Sequence, residues 1–181
     1  MTAILAINTI IEWLEGSEGI NRLERVLWID AKGKKVVVFA LFNPKALPEW
    51  KEIAEIEKAF ADGAAIKRIS DPYTALALPD SAILQKHRER RDRAWDIIKD
   101  LVVDEPGIYK SEGRGNLLHH ISGQFGVQAK TVYKYLRKYW AGGKTKNALL
   151  PAYDRCGAPG KERKATEGKK RGRPPKLSRI S

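Results

Sequence analysis

Cysteine is nearly missing from this chain: Cys156 stands alone among 181 residues. An internal disulfide is therefore excluded, and a reduced, cytosolic setting is the natural expectation. Long apolar runs are also missing, since none approaches the roughly 18–20 residues that span a bilayer. The N-terminus, MTAILAINTIIEWLEG, is apolar but lacks a basic flank and carries Glu12 and Glu15, so it reads as a strand and not as a secretion signal. Metal and phosphate motifs are weak or absent. His119 and His120 are sequence neighbours, which on a helix face about 100° apart, and Cys156 has no CxxC partner. The glycines around 107–115 are not followed by the Gly-Lys-Ser/Thr ending of a phosphate loop. Two-metal nucleotidyl transfer needs paired carboxylates on a rigid sheet, yet residues 107–181 offer only Glu112, Asp154, Glu162 and Glu167. No catalytic residue, metal ligand or cofactor is expected in this chain.

What is present is positive charge, and it is graded. Residues 1–79 hold 10 Lys/Arg against 11 Asp/Glu, residues 80–141 hold 12 against 8, and residues 142–181 hold 12 against 3. The net charge of +12 thus accumulates toward the C-terminus. A neutral head followed by an increasingly cationic body and tail points to a polyanion as partner. With no membrane or secretion signal, that partner is expected to be nucleic acid.

Local patterns divide the chain into three parts. Apolar, β-branched runs cover 4–14, 23–30 and 35–42, and the last two flank Ala31-Lys32-Gly33-Lys34 as a hairpin would. Pro48 opens a helical pattern, PEWKEIAEIEKAFADG, that sets Trp50, Ile53, Ile56, Ala59 and Phe60 on one face and stops at Gly63. A short strand at 65–70 closes a small α+β domain over 1–79. Asp80 or Ser81 then caps a long helix to about Val103, with Ile83, Leu84, Ala94, Ile97, Ile98 and Leu101 at helical spacing and a solvated middle, KHRERRDR. Glu105-Pro106-Gly107 breaks it, and 110–115 reads as a loop. Beyond Trp140, the Gly142-Gly143 pair and four prolines with few large apolar side chains predict an extended basic linker over 142–181.

The strongest motif is LLHHISGQFGVQAKTVYKYLRKYW, residues 117–140. A helix-turn-helix needs a tight turn, usually with glycine, and apolar residues where its helices meet. Gly126 sits at the turn, Val127 follows, Leu118, Ile121 and Phe125 line the first helix, and Val132, Tyr135, Leu136 and Tyr139 line the second. On the opposite face, Lys130, Lys134 and Arg137 lie within about 60° of one another, flanked by Tyr133 and Lys138. Gln128 and Thr131 occupy the first turn, where a recognition helix meets base edges in the major groove. Glutamine suits adenine, arginine or lysine suits guanine, and long cations also reach phosphates. An ordinary solvated face would interleave acids, but no Asp or Glu occurs between Glu112 and Asp154. The helix-turn-helix domain is assigned to 80–141.

The linker supplies a second set of candidates: Lys144, Lys146, Arg155, Lys161, Arg163, Lys164, Lys170 and Lys176, around the core Arg171-Gly172-Arg173-Pro174. That core resembles an AT-hook, whose glycine lets the backbone lie deep in a narrow groove while two arginines follow its floor. A nonspecific polycationic linker is the alternative, and either would lie on DNA.

The order of features resembles the N-terminal, DNA-binding region of TnsB-type transposases, in the Mu-like and retroviral-integrase superfamily. The matching residues are densest over 130–166, in TVYKYLRKYW, NALLPAY and GAPGKER, with weaker echoes in GINRLERVLWID and SDPY at 70–73. The resemblance implies sequence-specific binding of repeated sites at transposon ends, in a bacterial cytoplasm and on the nucleoid. It implies other copies of the transposase, a TnsA-like nuclease and a TnsC-like ATPase as partners. It also implies Mg²⁺-dependent strand transfer by an RNase H-like domain, which would begin near where this sequence stops, so a fragment without the catalytic domain is expected. Three other readings stay open: a stand-alone helix-turn-helix transcription regulator with an AT-hook, a protein-interaction adaptor with a merely basic linker, and an enzyme with a divergent site.

Overall fold

The computed structural model describes residues 5–14 and 22–151. Five strands come first, β1 (Ile10–Trp13), β2 (Arg22–Ile29), β3 (Lys35–Ala40), β4 (Glu49–Glu52) and β5 (Ala65–Arg68), with helix α1 (Ile53–Ala61) between the last two. Helices α2 (Gln85–Val102), α3 (Ser111–Phe125) and α4 (Ala129–Ala141) follow, with short 3-10 turns before α2, between α2 and α3, and after α4. The strands form one antiparallel sheet in the order β4-β3-β2-β1-β5. Strands followed by helices make the chain α+β, as the sequence predicts.

Both faces of the sheet are covered, which explains why Val36–Ala40 of β3 and Val26–Ile29 of β2 are continuously apolar instead of alternating. Ile11, Val26, Val36 and Val38 pack with Ile56 and Ala59 of α1. On the other side, Ile10, Leu23, Val37 and Phe39 enter a core shared with Ile98 and Leu101 of α2, Leu118 and Ile121 of α3, and Leu136 and Trp140 of α4. A register shift between Val26 and Trp28 marks a bulge in β2. It brings Leu27 and Trp28, adjacent in sequence, to the same helical side. Trp140 is fully buried between Phe39 and Tyr109, with ring centroids at 5.8 and 6.1 Å. Burial of one such side chain contributes on the order of 2–3 kcal/mol. The division at residue 79 therefore runs along a shared core, and the described residues up to Pro151 form one compact unit.

Several elements match the sequence patterns. The β2–β3 hairpin turns at Gly33 (φ +64°), α1 stops at Gly63 (φ +71°), and β5 closes the sheet. Others are corrected. Of the described part of the first apolar run, only Ile10–Trp13 is strand, because the chain turns just before it at Asn8 (φ +70°). The helical pattern from Pro48 is broken in two: Glu49–Glu52 pair with β3 as strand β4, and helix begins only at Ile53. Trp50 thus meets Trp28 edge-on at 5.5 Å, away from the apolar face of α1. Pairing along the open edge of β3 overrides local helix preference there. In the long helix, Leu84 precedes the first turn and is exposed, whereas Ile83 is buried. The expected loop at 110–115 is largely the first turns of α3, because buried Arg114 anchors to the carbonyls of Ile108 and Tyr109 (3.4 Å each). Phe125 is only partly covered. Finally, the chain is not extended from residue 142: a 3-10 turn at Lys146–Leu149 buries Ala148 and Leu149.

Candidate nucleic-acid interface

Helices α3 and α4 form the predicted helix-turn-helix. Gly126 ends α3 with φ +63°, a left-handed conformation that costs glycine little. Val127 donates its N–H to Ser122 O (3.1 Å) and packs against the core. Gln128 then opens α4 from an extended conformation (φ −71°, ψ 142°). Val132, Leu136, Tyr139 and Trp140 bury the inner face, while Tyr135 is only half-buried.

The outer face splits along its length. Near its N-terminus, Gln128, Lys130 and Lys134 are exposed and Thr131 is half-exposed. Neither lysine makes an ion pair or hydrogen bond with another described residue. Further along, the cations are engaged by the protein. Arg137 Nε donates to Ala46 O (2.9 Å), in the β3–β4 loop, and its guanidinium lies 5.2 Å from the centre of the Tyr133 ring. Lys138 Nζ donates to Leu150 O (3.2 Å). Of the seven helix candidates, the structure leaves Gln128, Lys130, Thr131 and Lys134 as a solvent-facing tip, and holds Tyr133, Arg137 and Lys138 against the protein body.

The two linker candidates within the described residues are engaged as well. Lys144 pairs with Glu105 and donates to Leu27 O (3.3 Å). Lys146 lies 3.0 Å from Asp92. The remaining linker candidates, Arg155, Lys161, Arg163, Lys164, Lys170, Arg171, Gly172, Arg173, Pro174 and Lys176, lie outside the described residues.

Sequence reasoning missed the residues that fix α4 in place. Arg25, inside strand β2, has no solvent exposure. Its Nε donates to Ala141 O at the C-terminus of α4 (3.0 Å), and its two terminal nitrogens grip Asp71 at 2.9 and 2.8 Å. Tyr73 closes this junction, with its backbone N–H on Asp71 (2.8 Å) and its ring 5.7 Å from the Arg25 guanidinium. Burial alone would push the Asp71 carboxyl upward, but hydrogen bonds from Arg25 and the Tyr73 N–H, with the arginine charge, hold it below the usual carboxylate range. Asn8 Nδ2 donates to Gly143 O (3.1 Å), so a second residue of the sheet domain holds the same turn. The signal was present in the sequence as an arginine inside an apolar strand and an Asp-Pro-Tyr, but nothing local pairs them across 46 residues.

A second buried arginine braces the far side. Arg91 of α2 donates to Asp80 (2.6 Å), to Asn147 Oδ1 (2.7 Å) and, through Nε, to Asp92 (2.8 Å). The KHRERRDR stretch is therefore not wholly solvated. These bonds raise the Arg91 guanidinium further above its already high value and hold both aspartates low. Asn147 in turn donates to the carbonyls of Leu76 and Leu78 (3.1 and 2.8 Å). Residues 142–151 thus act as a strap linking α2, α4 and the segment after the sheet.

Among the described residues, no three His, Cys, Asp or Glu side chains gather as metal ligands would. No helix among them is long and apolar enough to cross a membrane. Residues 4–72 match the model of the TnsB N-terminal SH3-like domain, and residues 91–153 match that of the TnsB second domain. The chain is also 37% identical, over 118 residues, to the transposition protein TnsB of transposon Tn7 from Escherichia coli. That alignment takes in 63% of this chain but only 16% of the relative's length.

Proposed function

We propose, from the premise that this chain belongs to the TnsB-type transposases through their N-terminal region, that it binds the terminal DNA repeats of its transposon in a sequence-specific way. The single observation that carries the reading is the tip of α4. There, Gln128, Lys130, Thr131 and Lys134 project from a helix whose inner face is locked to the core, and no carboxylate occurs from Gly113 to Pro151. In the major groove, Gln128 and Thr131 meet base edges while Lys130 and Lys134 reach guanine edges or phosphates. Residues 152–181 add charge that follows the backbone into an adjacent minor groove through Arg171 and Arg173. Tethering the two anchors raises effective concentration without a large interface.

Strand transfer, and the Mg²⁺ it would use, are proposed only for a full-length transposase, since the chain aligns with 16% of its relative's length. Contacts with other transposase copies, a TnsA-like nuclease and a TnsC-like ATPase belong to the same proposal for that larger protein. Hydroxyl-radical footprinting on the ends of the element that encodes the chain tests the reading. The expected result is protection at directly repeated sites. Uniform cleavage along the end DNA, at concentrations that saturate binding, would contradict it.

A further inference from the structure

The β3–β4 loop touches the outer face of α4 through Arg137. Leaving β3, the chain turns at Phe42 (φ +64°), a conformation unfavourable for a bulky side chain. The Phe42 ring, largely exposed, stacks on Tyr73 with centroids at 6.1 Å and planes 15° apart. The Asn43 side chain accepts the Lys45 N–H (2.9 Å), and the Ala46 N–H donates to Asn43 O (3.1 Å), which closes a tight turn. Ala46 is buried in the shared core, and its carbonyl accepts Arg137 Nε (2.9 Å). Lys45, next in sequence to that acceptor, is exposed and pairs with no described residue. Arg137 lies three residues beyond Lys134, on the same helical row.

We infer that Lys45 of this loop contacts the DNA backbone beside α4, and that Arg137 is the positioning residue that clamps the loop to the recognition helix. This rests on the reading of α4 as DNA-facing and adds a contact from the sheet domain. The charge arrangement supports a polyanion over a protein partner: Lys45, Lys130 and Lys134 are exposed and pair with no described residue, the Arg137–Ala46 bond joins the Lys45 loop to the helix that carries the other two, and no carboxylate lies on the loop over 42–48 or on α4. Arg137 is bound to a carbonyl and not to an acid, so it keeps its full positive charge within the patch.

The experiment is fluorescence anisotropy of the full chain on a labelled mixed-sequence duplex and on the element's own end duplex, across a salt series. Lys45→Ala should weaken binding to both duplexes by the same factor and reduce the salt slope by about 0.9, the value for one phosphate contact. Arg137→Ala should weaken binding too, and Lys45→Ala added to Arg137→Ala should cost less than it does alone, since the loop is already released. Lys58→Ala, on α1 across the sheet, is the control and should change neither slope nor affinity. Thermal unfolding of each variant separates misfolding from lost contact. If Lys45→Ala leaves the slope unchanged while Lys134→Ala lowers it, the loop inference fails and the role of α4 stands. If neither changes it, both fail. An equal fall with Lys58→Ala would show a general charge effect and overturn the inference.

Discussion

The two ends of α4 look alike as sequence but differ in what the fold does with them. Lys130 and Lys134, near the N-terminus, face solvent with no partner among the described residues. Arg137 and Lys138, one turn later, are tied to the carbonyls of Ala46 and Leu150. Past the helix end, Ala141 O and Gly143 O are held by Arg25 and Asn8 from the sheet domain. One end is therefore presented and the other anchored. Presentation depends on the anchor, because a cation reads a groove well only if its helix cannot tilt away. A charge count along α4 cannot distinguish these roles, since both are written in the same residue types.

The anchored end should break first and hardest. Arg25→Ala leaves Asp71 without its partner and Ala141 O without its donor at a buried site. Asp71 is partly exposed and can be rehydrated, so the expected loss is about 2 kcal/mol of folding stability, below the range for a fully buried ion pair. Urea unfolding measures it. A loss below about 0.5 kcal/mol, the range of ordinary surface substitutions, would mean the junction is not what holds α4.

How far this was legible follows from where each signal resides. The β2–β3 hairpin and the helix-turn-helix were readable because their determinants are local: Gly33 and Gly126 at positive φ, flanked by apolar runs of the right period. The split of 48–61 into strand β4 and helix α1 was not, because Glu49–Glu52 become strand only through pairing with β3. Arg91 and Arg114 look like surface charge in sequence; Arg91 is buried with Asn147, 56 residues away, and Arg114 bonds nearby backbone carbonyls, which leave no side-chain signal in the sequence. For the site, the cationic face of α4 was legible from the missing acids between Glu112 and Asp154. Which of its cations stay available was not, since Arg137 meets a carbonyl 91 residues away.

A smaller effect tests the strap behind the anchor. At Gly142 an added Cβ would fall 2.3 Å from the Cβ of Ala148, which is short and cannot rotate away. Gly142→Ala should therefore destabilise by about 1–3 kcal/mol, the usual cost of overpacking, and lower the melting temperature. Gly123→Ala, where no neighbour lies within 4 Å, is the matched control and should not destabilise. Equal behaviour of the two would mean that 142–151 is loosely held.

The mildest probe is pH. Asp71 has its carboxyl held below the usual 3.8. A depressed folded-state pKa contributes stability that is fully present above the unfolded value and is lost as pH falls through the folded one. Stability should thus owe nothing to Asp71 titration between pH 7 and 5, then decline below about pH 4. Asp71→Asn should remove that part of the acid decline while lowering stability at neutral pH, as chemical denaturation at stepped pH would show. An unaltered acid limb in the variant would assign the decline to other carboxylates.

The most direct test of the presented end is equilibrium binding of the Lys130→Ala/Lys134→Ala double variant to transposon-end DNA, with a salt series and an unfolding curve run on the same protein. The account predicts unchanged stability, affinity weaker by about 1–3 kcal/mol for each lysine, and a salt slope shallower by about two phosphate contacts. Full affinity and an unaltered slope in a stably folded double variant would show that DNA, if bound, lies elsewhere on the molecule.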